Sequence, residues 1–493
     1  MPDLLLGLDI GTSSSKAVLT RPDGTLVAQA VRAHETSMPR PGFVEHDAEQ
    51  IWLGDLTALV AELAPQLRDG VAAIGLSGIG PCLLVADAAG RPLRPGILYG
   101  VDTRAVAEIH ELTERYGREE ILRRCGSVLT TQAVGPKIAW VRAHEPEVWA
   151  STRQLFTASS YLVHELTGEY VLDHHTASQW TPLYDTRDNS WIEAWAADIA
   201  PGVALPRLAW PGEVAGTVTA EAARRLGLPS GTPVLAGTVD AWAEAYSVGV
   251  NAAGDVMVMY GTTMFLVQVL AQRGTWPTLW GTVGVRPGSY TLAAGMATSG
   301  SVTDWLRAIT GESSYAALVD DAAATPCGAD GLVLLPYFAG ERTPLFDPDA
   351  RGVIAGLTLG HTRGHLYRAA LEGIACGVRH NLETMADAGG QLRRLVAVGG
   401  GTQGRLWTQI VSDVLQQPQD VPTYTIGACY GDALLAAQAV GLAGDEHNWN
   451  PVARVVEPDD GVAETYGRLY CRYRELYSTT ADLVHDLAAD TRI

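Results

Sequence analysis

Residues 7–16, with the sequence GLDIGTSSSK, form an apolar strand that breaks into a glycine and a run of small hydroxyl residues. Residues 255–264, DVMVMYGTTM, repeat this pattern about 250 positions later. A turn of this kind exposes peptide N–H groups, which suit the oxygens of a phosphate. Because the pattern occurs twice, the sequence predicts two duplicated halves that act on one nucleotide.

Each half continues with the same alternation of strands and helices. In the first half, Arg21 to Gly24 has the composition of a hairpin turn, and Asp47 with Gln50 predicts a capped helix that runs through about Leu67. The expected strands and helices of this half lie near residues 4–9, 16–20, 26–31, 71–76, 82–86 and 105–116.

The second half opens with expected strands near residues 255–260, 264–270 and 289–294. An amphipathic helix over 365–388 follows, and a last buried strand at 395–398 runs into the sequence GGGTQG. Mixed strands and helices in both halves predict an α/β class. We place the boundary near 240–255, with domains at 1–246 and 247–493.

Composition and charge narrow the classes of partner. The chain has 493 residues, 47% of them hydrophobic, and a formal net charge of −20. This charge argues against nucleic acid or an anionic membrane, since both would repel the protein. Its six cysteines include no pair at CxxC spacing, which argues against a zinc site or a disulfide framework. The first residues look like a strand rather than a signal peptide, and no run is apolar enough to cross a bilayer. We therefore expect a cytoplasmic protein.

Asp9 lies immediately before the first glycine turn, Gly11, Thr12 and Ser13. A carboxylate at this place can hold Mg²⁺ against phosphates while the turn binds their oxygens. The alternative is a simple hairpin that Asp9 caps. Lys16 could reach a phosphate, although a solvated lysine on a strand is the commoner case.

The glycines at 399, 401 and 404 have the spelling of a dinucleotide fingerprint, GxGxxG. The motif lies late in the chain, so we favour a glycine-rich floor under an adenosine. An NAD site stays open as the alternative.

Two further carboxylates are candidates for contact with a substrate. Asp240 stands at the expected start of a helix, where the helix dipole keeps it ionised and able to accept a proton from a hydroxyl. An ordinary helix cap is its alternative interpretation. Asp102 and Arg104 offer an acceptor and a cation in one loop, as sugar hydroxyls require, but a capping Asp with a surface Arg would look the same. The tryptophans at 52, 140, 305 and 407 lie in helical patterns, and we predict them to be core residues.

Several segments resemble the FGGY family of carbohydrate kinases, and within it the xylulokinase-like branch. The most specific is GVIAGLTLGHTRGHLYRAALE at 352–372, which is similar to the family's second signature. The resemblance extends in the family's order through FVEHDAEQIW at 43–52, PYFAGERTP at 336–344 and GACYGDALLAAQAVG at 427–441.

The resemblance implies two ribonuclease H-like (actin/hexokinase-like) domains with an active-site cleft between them, and MgATP as phosphoryl donor. It implies that Asp240 is the general base and that Asp9 orients Mg²⁺, through water, and phosphate. It also implies a homodimer as a common assembly. The remaining implied contacts are phosphate at Gly11, Thr12, Ser13, Gly261, Thr262 and Thr263; adenosine at Gly399, Gly400, Gly401 and Gln403; and sugar at Asp102 and Arg104.

The chain departs from xylulokinases where polar sugar contacts are usual. Gly80 and Pro81 stand where a Gln-Met-His segment is common, and Ala241 follows the base in place of Asn or Gln. A pocket without these partners should bind xylulose poorly, because buried hydroxyls would lose hydrogen bonds. The sequence thus predicts an ATP-dependent kinase for a ketopentose-like sugar or a polyol. An NAD-linked oxidoreductase and a non-catalytic sensor on the kinase fold are the alternatives.

Overall fold

The structure is a computed structural model that describes residues 3–67, 70–444 and 448–490. The strands are β1 (Leu5–Ile10), β2 (Ser14–Thr20), β3 (Leu26–Ala33), β4 (Glu45–His46), β5 (Ala73–Gly78), β6 (Leu84–Ala86), β7 (Gly96–Ile97), β8 (Gln154–Phe156), β9 (Val171–Asp173), β10 (Tyr184–Asp185), β11 (Ser190–Trp191), β12 (Arg207–Ala209), β13 (Val214–Thr217), β14 (Pro233–Leu235), β15 (Thr238–Val239), β16 (Asp255–Tyr260), β17 (Met264–Leu270), β18 (Trp280–Val283), β19 (Tyr290–Met296), β20 (Val333–Leu335), β21 (Val353–Ala355), β22 (Arg394–Val398), β23 (Gln419–Pro422) and β24 (Val452–Val456).

The α-helices are α1 (Gly54–Leu63), α2 (Val106–Tyr116), α3 (Arg118–Cys125), α4 (Val134–His144), α5 (Pro146–Ser151), α6 (Ala158–Thr167), α7 (His174–Ser178), α8 (Glu193–Ile199), α9 (Ala220–Leu226), α10 (Asp240–Ser247), α11 (Gly300–Ile309), α12 (Tyr315–Ala323), α13 (Arg363–Asp387), α14 (Arg405–Leu415), α15 (Ala428–Ala439) and α16 (Ala463–Asp490). Among the described residues, no helix is long and apolar enough to span a bilayer.

The chain forms two compact units that interleave along the sequence. Unit 1 contains Met1–Asn251, Ala271–Thr291 and Ile426–Asn450, and unit 2 contains the intervening segments and the C-terminal helix. The predicted division at 246/247 is a single cut, whereas each unit here draws on several segments. Helix α15, late in the sequence, thereby belongs to unit 1.

The central sheet of unit 1 has the strand order β13-β14-β5-β1-β2-β3, and β15 also pairs with β5. Strands β1, β2 and β3 are antiparallel neighbours, whereas β5 runs parallel to β1 and β15 runs parallel to β5. Every residue of β1 is buried because the sheet is covered on both faces. Because β1, β5 and β15 run parallel, their carboxyl ends meet at one edge of the sheet. This edge is the usual place for a ligand in an α/β sheet.

Helix α15 packs backbone to backbone against this sheet. A Cβ atom added to Gly7 would lie 1.9 Å from the carbonyl oxygen of Cys429, and one added to Gly75 would lie 2.1 Å from the carbonyl oxygen of Asp432. Only glycine permits this approach, so both positions bring the helix close to β1 and β5. The contact places Asp432 directly beside the carboxyl edge of the sheet.

Unit 2 repeats the arrangement. Its strands follow the order β19-β17-β16-β22-β23-β24, with β16 antiparallel to β17 and parallel to β22. Helix α13, which is 25 residues long, packs against α12, α14 and β20. The hairpin β16–β17 corresponds to β1–β2 of unit 1, as the repeated turn pattern predicts.

The local predictions agree with the structure, with shifts of a few residues. The expected turn at Arg21–Gly24 forms, since the Gly24 N–H donates to the Arg21 carbonyl at 2.9 Å. The side chain of Asp47 accepts hydrogen bonds from the N–H groups of Glu49 and Gln50. The helix that follows begins as a π-helical turn over Ala48–Leu53 and its α-helical part ends at Leu63, short of the predicted Leu67.

Candidate functional site

The first glycine turn joins β1 to β2 in unit 1, and Asp9 and Lys16 face each other across this hairpin. Within the turn, the Gly11 N–H donates to the Ser14 carbonyl at 3.1 Å. Asp9 is 6% exposed, and Lys16 is half-buried beside it. Lys16 is therefore an interior cation next to a carboxylate, rather than a solvated strand lysine.

Ser77 links Asp9 to a second buried carboxyl group. It lies opposite Asp9 on β5, and its hydroxyl contacts the Oδ1 atom of Asp9 at 3.3 Å and the Oδ2 atom of Asp432 at 2.6 Å. Asp432 is 1% exposed, and its other oxygen has no hydrogen-bond partner among the described residues. The single carboxylate of helix α15 is thus connected through Ser77 to the edge where Asp9 lies.

Asp240 enters the same region as the first residue of α10, as the sequence predicts. Its Oδ1 atom accepts the N–H of Ala241 at 2.7 Å. Strand β15 brings it there, because Thr238 pairs with Ser77 and Val239 pairs with Gly78. Glu244 follows one helical turn later and therefore lies on the same face of α10.

We call Asp9, Asp240, Glu244 and Asp432 the carboxylate cluster. Burial raises the pKa of Asp9 to about 6, against the opposing effects of Lys16 and of the Ser77 hydroxyl. Burial raises the pKa of Glu244 to about 7, where Lys16 lowers it and Asp9 raises it further. The pKa values of Asp240 and Asp432 are raised well above the ordinary range, first by burial and then by neighbouring carboxylates.

This electrostatic imbalance fits a bound cation. Lys16 acts on Asp9, Asp240 and Glu244, and Asp432 is connected to Asp9 through Ser77, so ionisation of all four carboxyl groups leaves excess negative charge in the cluster. Among the described residues, no three side chains are grouped to bind a metal ion directly. Mg²⁺ keeps several waters and commonly uses one or two carboxylates together with substrate phosphates, so the arrangement suits Mg²⁺ bound with a nucleotide.

The predicted Asp102–Arg104 pair forms, but its groups are already bonded to each other. The guanidinium donates to both carboxylate oxygens at 2.7–3.0 Å, and its charge also lies 2.8 Å from Glu45. Its side chain is fully buried and lies 4.0 Å from the centre of the Phe43 ring. The pair therefore ties its loop to the segment at Val44 and Glu45, since Asp102 also accepts the N–H of Val44.

Gly80 and Pro81 follow β5, which pairs with β15. Strand β15 ends at Val239, the residue before Asp240. A Cβ atom on Gly80 would approach Val239 Cγ2 to 2.9 Å, so a larger residue would push against the segment that positions Asp240. Ala241, the other departure from the expected sugar contacts, is half-buried at the start of α10. Gly80 and Ala241 are partly exposed and therefore offer small, apolar surfaces near the candidate base, whereas Pro81 is buried.

The second glycine turn, Gly261–Thr263, lies in unit 2 against the start of α11. The N–H groups of Ser299, Gly300 and Ser301 donate to the carbonyls of Thr262 and Gly261 at 3.0–3.1 Å. The backbone of the turn is thus fixed from behind by the first turn of a helix. Both turns have the strand–turn–strand setting that the sequence predicts.

Next to this turn is a cavity of about 470 Å³, within the range of ligand pockets in proteins. Its lining contains both glycines and aromatic rings, a combination that accommodates a planar base and a sugar. The lining includes Tyr260, Gly261, Thr262, Gly300, Asp304, Tyr315, Tyr367, Gly400, Gly401, Gly404 and Trp407.

Of the residues predicted for the nucleotide in this half, Gly261, Thr262, Gly400 and Gly401 line the cavity. Thr263, Gly399 and Gln403 are neighbours of lining residues in the sequence, but they do not line the cavity themselves. The Gly400–Gln403 segment is a 3-10 turn between β22 and α14. Strands β22 and β23 are parallel and α14 connects them, as a dinucleotide fingerprint requires. On its other side, however, β22 continues through β16 into the antiparallel hairpin β16–β17, which is not the parallel sheet of a doubly wound dinucleotide-binding domain.

Sequence reasoning missed several residues of both sites. Trp52 and Trp140 are buried as predicted, but Trp305 is 39% exposed and Trp407 lines the cavity, so the prediction of core positions was wrong for these two. Ser77, Glu244 and Asp432 were also missed. The spacing of Glu244 from Asp240 and the isolated charge of Asp432 in an apolar helix were the available signals.

Comparison with known proteins agrees with this geometry. Family models described as the FGGY family of carbohydrate kinases match the chain over residues 4–246 with the N-terminal domain and 256–440 with the C-terminal domain. A glycerol kinase of Nocardia farcinica (strain IFM 10152) is 33% identical over 90% of this chain and 92% of its own. A xylulose kinase of Escherichia coli (strain K12) is 30% identical over 92% of each chain.

Solved structures give the same result. A xylulose kinase from Rhodospirillum rubrum superposes with a TM-score of 0.91 at 35% identity, covering 98% of this chain and 100% of that one. The predicted class, two domains with the ribonuclease H-like (actin/hexokinase-like) α/β fold, is confirmed, as is the prediction of a carbohydrate kinase. The chain belongs to the FGGY family of carbohydrate kinases.

Proposed function

We propose that this protein transfers the terminal phosphoryl group of ATP to a hydroxyl of a small ketose or polyol, with Asp240 as general base. The observation that supports this most directly is the position of Asp240, at the carboxyl edge of the sheet beside Asp9 and the first glycine turn. A base must lie within reach of the hydroxyl whose proton it accepts, and a phosphoryl acceptor must lie next to the phosphate.

Each residue has a separate task in this proposal. Gly11, Thr12 and Ser13 bind phosphate oxygens, as do Gly261, Thr262 and Thr263, while the cavity walls at Gly400, Gly401 and Trp407 hold the adenosine. Mg²⁺, when bound with ATP, neutralises charge on the phosphates. Asp9 binds this ion through water, and Lys16 offsets the charge of the cluster.

The raised pKa of Asp240 is compatible with its role as base. Burial and the neighbouring Asp9 favour the protonated form in the free protein. A dication close to Asp9 favours the ionised form of every carboxyl group near it. Asp240 would then be ionised when the nucleotide is bound, and ready to accept the proton of the acceptor hydroxyl.

The acceptor is proposed as a ketopentose-like sugar or a polyol. The curated relatives include glycerol kinases and xylulose kinases at similar identity, so both substrate types are represented among them. Gly80 and Ala241 place apolar surface near the base, which disfavours an acceptor that needs hydrogen bonds there. We therefore expect xylulose to be a weak substrate.

A cytoplasmic location and a homodimer stay predictions. All six cysteines are free thiols.

The test is a coupled ADP-release assay with MgATP and a panel of ketopentoses, pentitols, tetritols, glycerol, hexuloses and aldonates. Release that depends on one compound supports the proposal and identifies the acceptor. Asp240→Asn serves as the inactive control. Release with none of the compounds, despite binding of MgATP, would favour the non-catalytic sensor; protection by NADH instead of ATP would favour the oxidoreductase. Neither alternative gains support from the relatives or from the fold.

A further inference from the structure

His34 and Thr36, the first and third residues after β3, hold three successive carbonyl groups of the first glycine turn. The His34 ring contacts the Gly11 carbonyl at 3.2 Å, and the Thr36 hydroxyl donates to the Thr12 carbonyl at 2.9 Å. The backbone N–H of His34 donates to the Ser13 carbonyl at 3.0 Å. In a trans peptide, the carbonyl and the following N–H point in opposite directions. Bonding these carbonyls on one side therefore turns the next N–H groups of the turn to the other side.

The ring of His34 is bonded at both nitrogens to oxygen acceptors. Its Nδ1 atom lies 2.7 Å from Oδ2 of Asp55, and its Nε2 atom faces the Gly11 carbonyl. Neither a carboxylate nor a carbonyl can donate, so both contacts are hydrogen bonds only when each nitrogen carries a proton. The ring is 6% exposed and the Asp55 side chain 15% exposed, and the Ser15 hydroxyl donates to the same carboxylate oxygen at 2.7 Å.

A second chain of bonds under the turn has a defined direction. The indole N–H of Trp52 donates to Nδ1 of His46 at 3.2 Å, which leaves the proton of the neutral His46 ring on Nε2. That nitrogen lies 3.1 Å from the Thr36 hydroxyl, which in turn donates to the Thr12 carbonyl. Burial, together with the nearby His34, lowers the pKa of His46 to about 4, while Asp55 raises it. His46 is thus neutral.

The two glycine turns differ in how their carbonyls are held. In unit 2 the partners are backbone N–H groups at the start of α11, which do not depend on the identity of a side chain. In unit 1 a side chain, the His34 ring, holds the first carbonyl. The hydrogen bond that holds the first turn can therefore be removed by substituting a side chain.

We propose that His34, held as an imidazolium by Asp55, is a positioning residue that orients the first glycine turn for phosphate. The inference rests on the proposed function, because it assumes that this turn binds the phosphates of ATP. His34 and Asp55 act through the Gly11 carbonyl and do not touch the nucleotide.

The experiment compares wild type, Asp55→Asn and His34→Gln by titration calorimetry with MgATP and, separately, with adenosine. Asp55→Asn removes the carboxylate charge that holds the imidazolium. His34→Gln replaces the ring by an uncharged amide. We expect the Kd for MgATP to rise at least about tenfold in both, the loss expected for one charge-assisted hydrogen bond. Adenosine, which lacks phosphates, should bind all three proteins equally. His110→Gln, an exposed histidine of α2, is the matched control.

Nitrogen-15 spectra of the histidine rings provide a readout that a purely structural role would not change. In wild type at pH 7, both ring nitrogens of His34 should show the shifts of a protonated imidazolium, and Asp55→Asn should remove this signature. A neutral His34 ring, unchanged MgATP affinity in the variants, or an equal loss of adenosine binding would each overturn the inference. If wild type binds no MgATP, the proposed function fails instead, and the ring spectra still decide the charge of His34.

Discussion

Replacement of Asp240 by Asn tests the base and the carboxylate cluster in one protein. The amide keeps the shape of the side chain but cannot accept a proton. Loss of a positioned base lowers turnover by about 10²- to 10⁴-fold, which corresponds to roughly 3–5 kcal/mol of transition-state stabilisation. Affinity for MgATP should change less than about threefold, because Asp240 contacts no part of the nucleotide in the proposed arrangement.

The same change should stabilise the free protein at high pH. A carboxyl group whose pKa is raised on folding costs stability once it ionises, so stability falls as pH rises through the folded pKa. The pKa of Asp9 rises from 3.8 to about 6, a gap of about 2 units, or at most about 3 kcal/mol at 1.36 kcal/mol per unit. Asp240 shares this environment. The pKa of Asp240 is raised in the same direction, by burial and by Asp9, so we expect Asp240→Asn to be more stable than wild type at pH 8, with a much smaller difference at pH 5.

Urea unfolding at pH 5 and pH 8, together with the ADP-release assay, measures both effects. Asp188→Asn, an exposed site in unit 1, controls for the general effect of removing a charge. Wild-type turnover in Asp240→Asn would refute the assignment of the base. A loss of stability at pH 8 would show that Asp240 is favourably paired in the free protein, contrary to the electrostatics derived above.

Three further predictions follow from the packing and charge of the two units. In Gly401→Val, the new Cβ atom would lie 2.8 Å from Tyr260 Cβ and 2.9 Å from the Trp407 ring. Adenosine affinity, measured by calorimetry, should therefore fall at least about tenfold. The control Gly467→Val, at an open position of α16, should bind adenosine as wild type does. Gly7→Ala should lower the free energy of unfolding by about 1–3 kcal/mol in urea titrations, because its Cβ lies 1.9 Å from a carbonyl oxygen of α15; equal stability to Gly212→Ala, whose nearest atom lies at 3.9 Å, would contradict this. Mg²⁺ alone should raise the melting temperature more at pH 8 than at pH 5, since Asp9 and Glu244 ionise between these values; a shift independent of pH would argue against a cation near Asp9.

Much of the fold follows from local patterns. The strands of both hairpins, the turn at Arg21–Gly24 and the start of α10 at Asp240 lie where alternation and turn residues predict them, because these features depend on neighbours in sequence. The predicted helix beyond Asp47 was too long, since its first turn is π-helical and its last residues leave the α-helix. The prediction also failed for Trp407, because helical spacing does not distinguish a core face from a cavity wall.

By itself, the sequence determined the chemistry available to this protein: two glycine turns, an Asp before the first, an Asp at the start of a helix, and the signature of a kinase family. Only the tertiary structure decided which groups meet. Ser77 and Asp432 are 355 positions apart, yet their side chains are hydrogen bonded, because glycines in β1 and β5 allow α15 to approach the sheet. Likewise, His34 and Asp55 have no recognisable spacing, and they pair because β3 and α1 pack beside the turn. Such contacts depend on close packing between distant segments, which local sequence patterns do not encode.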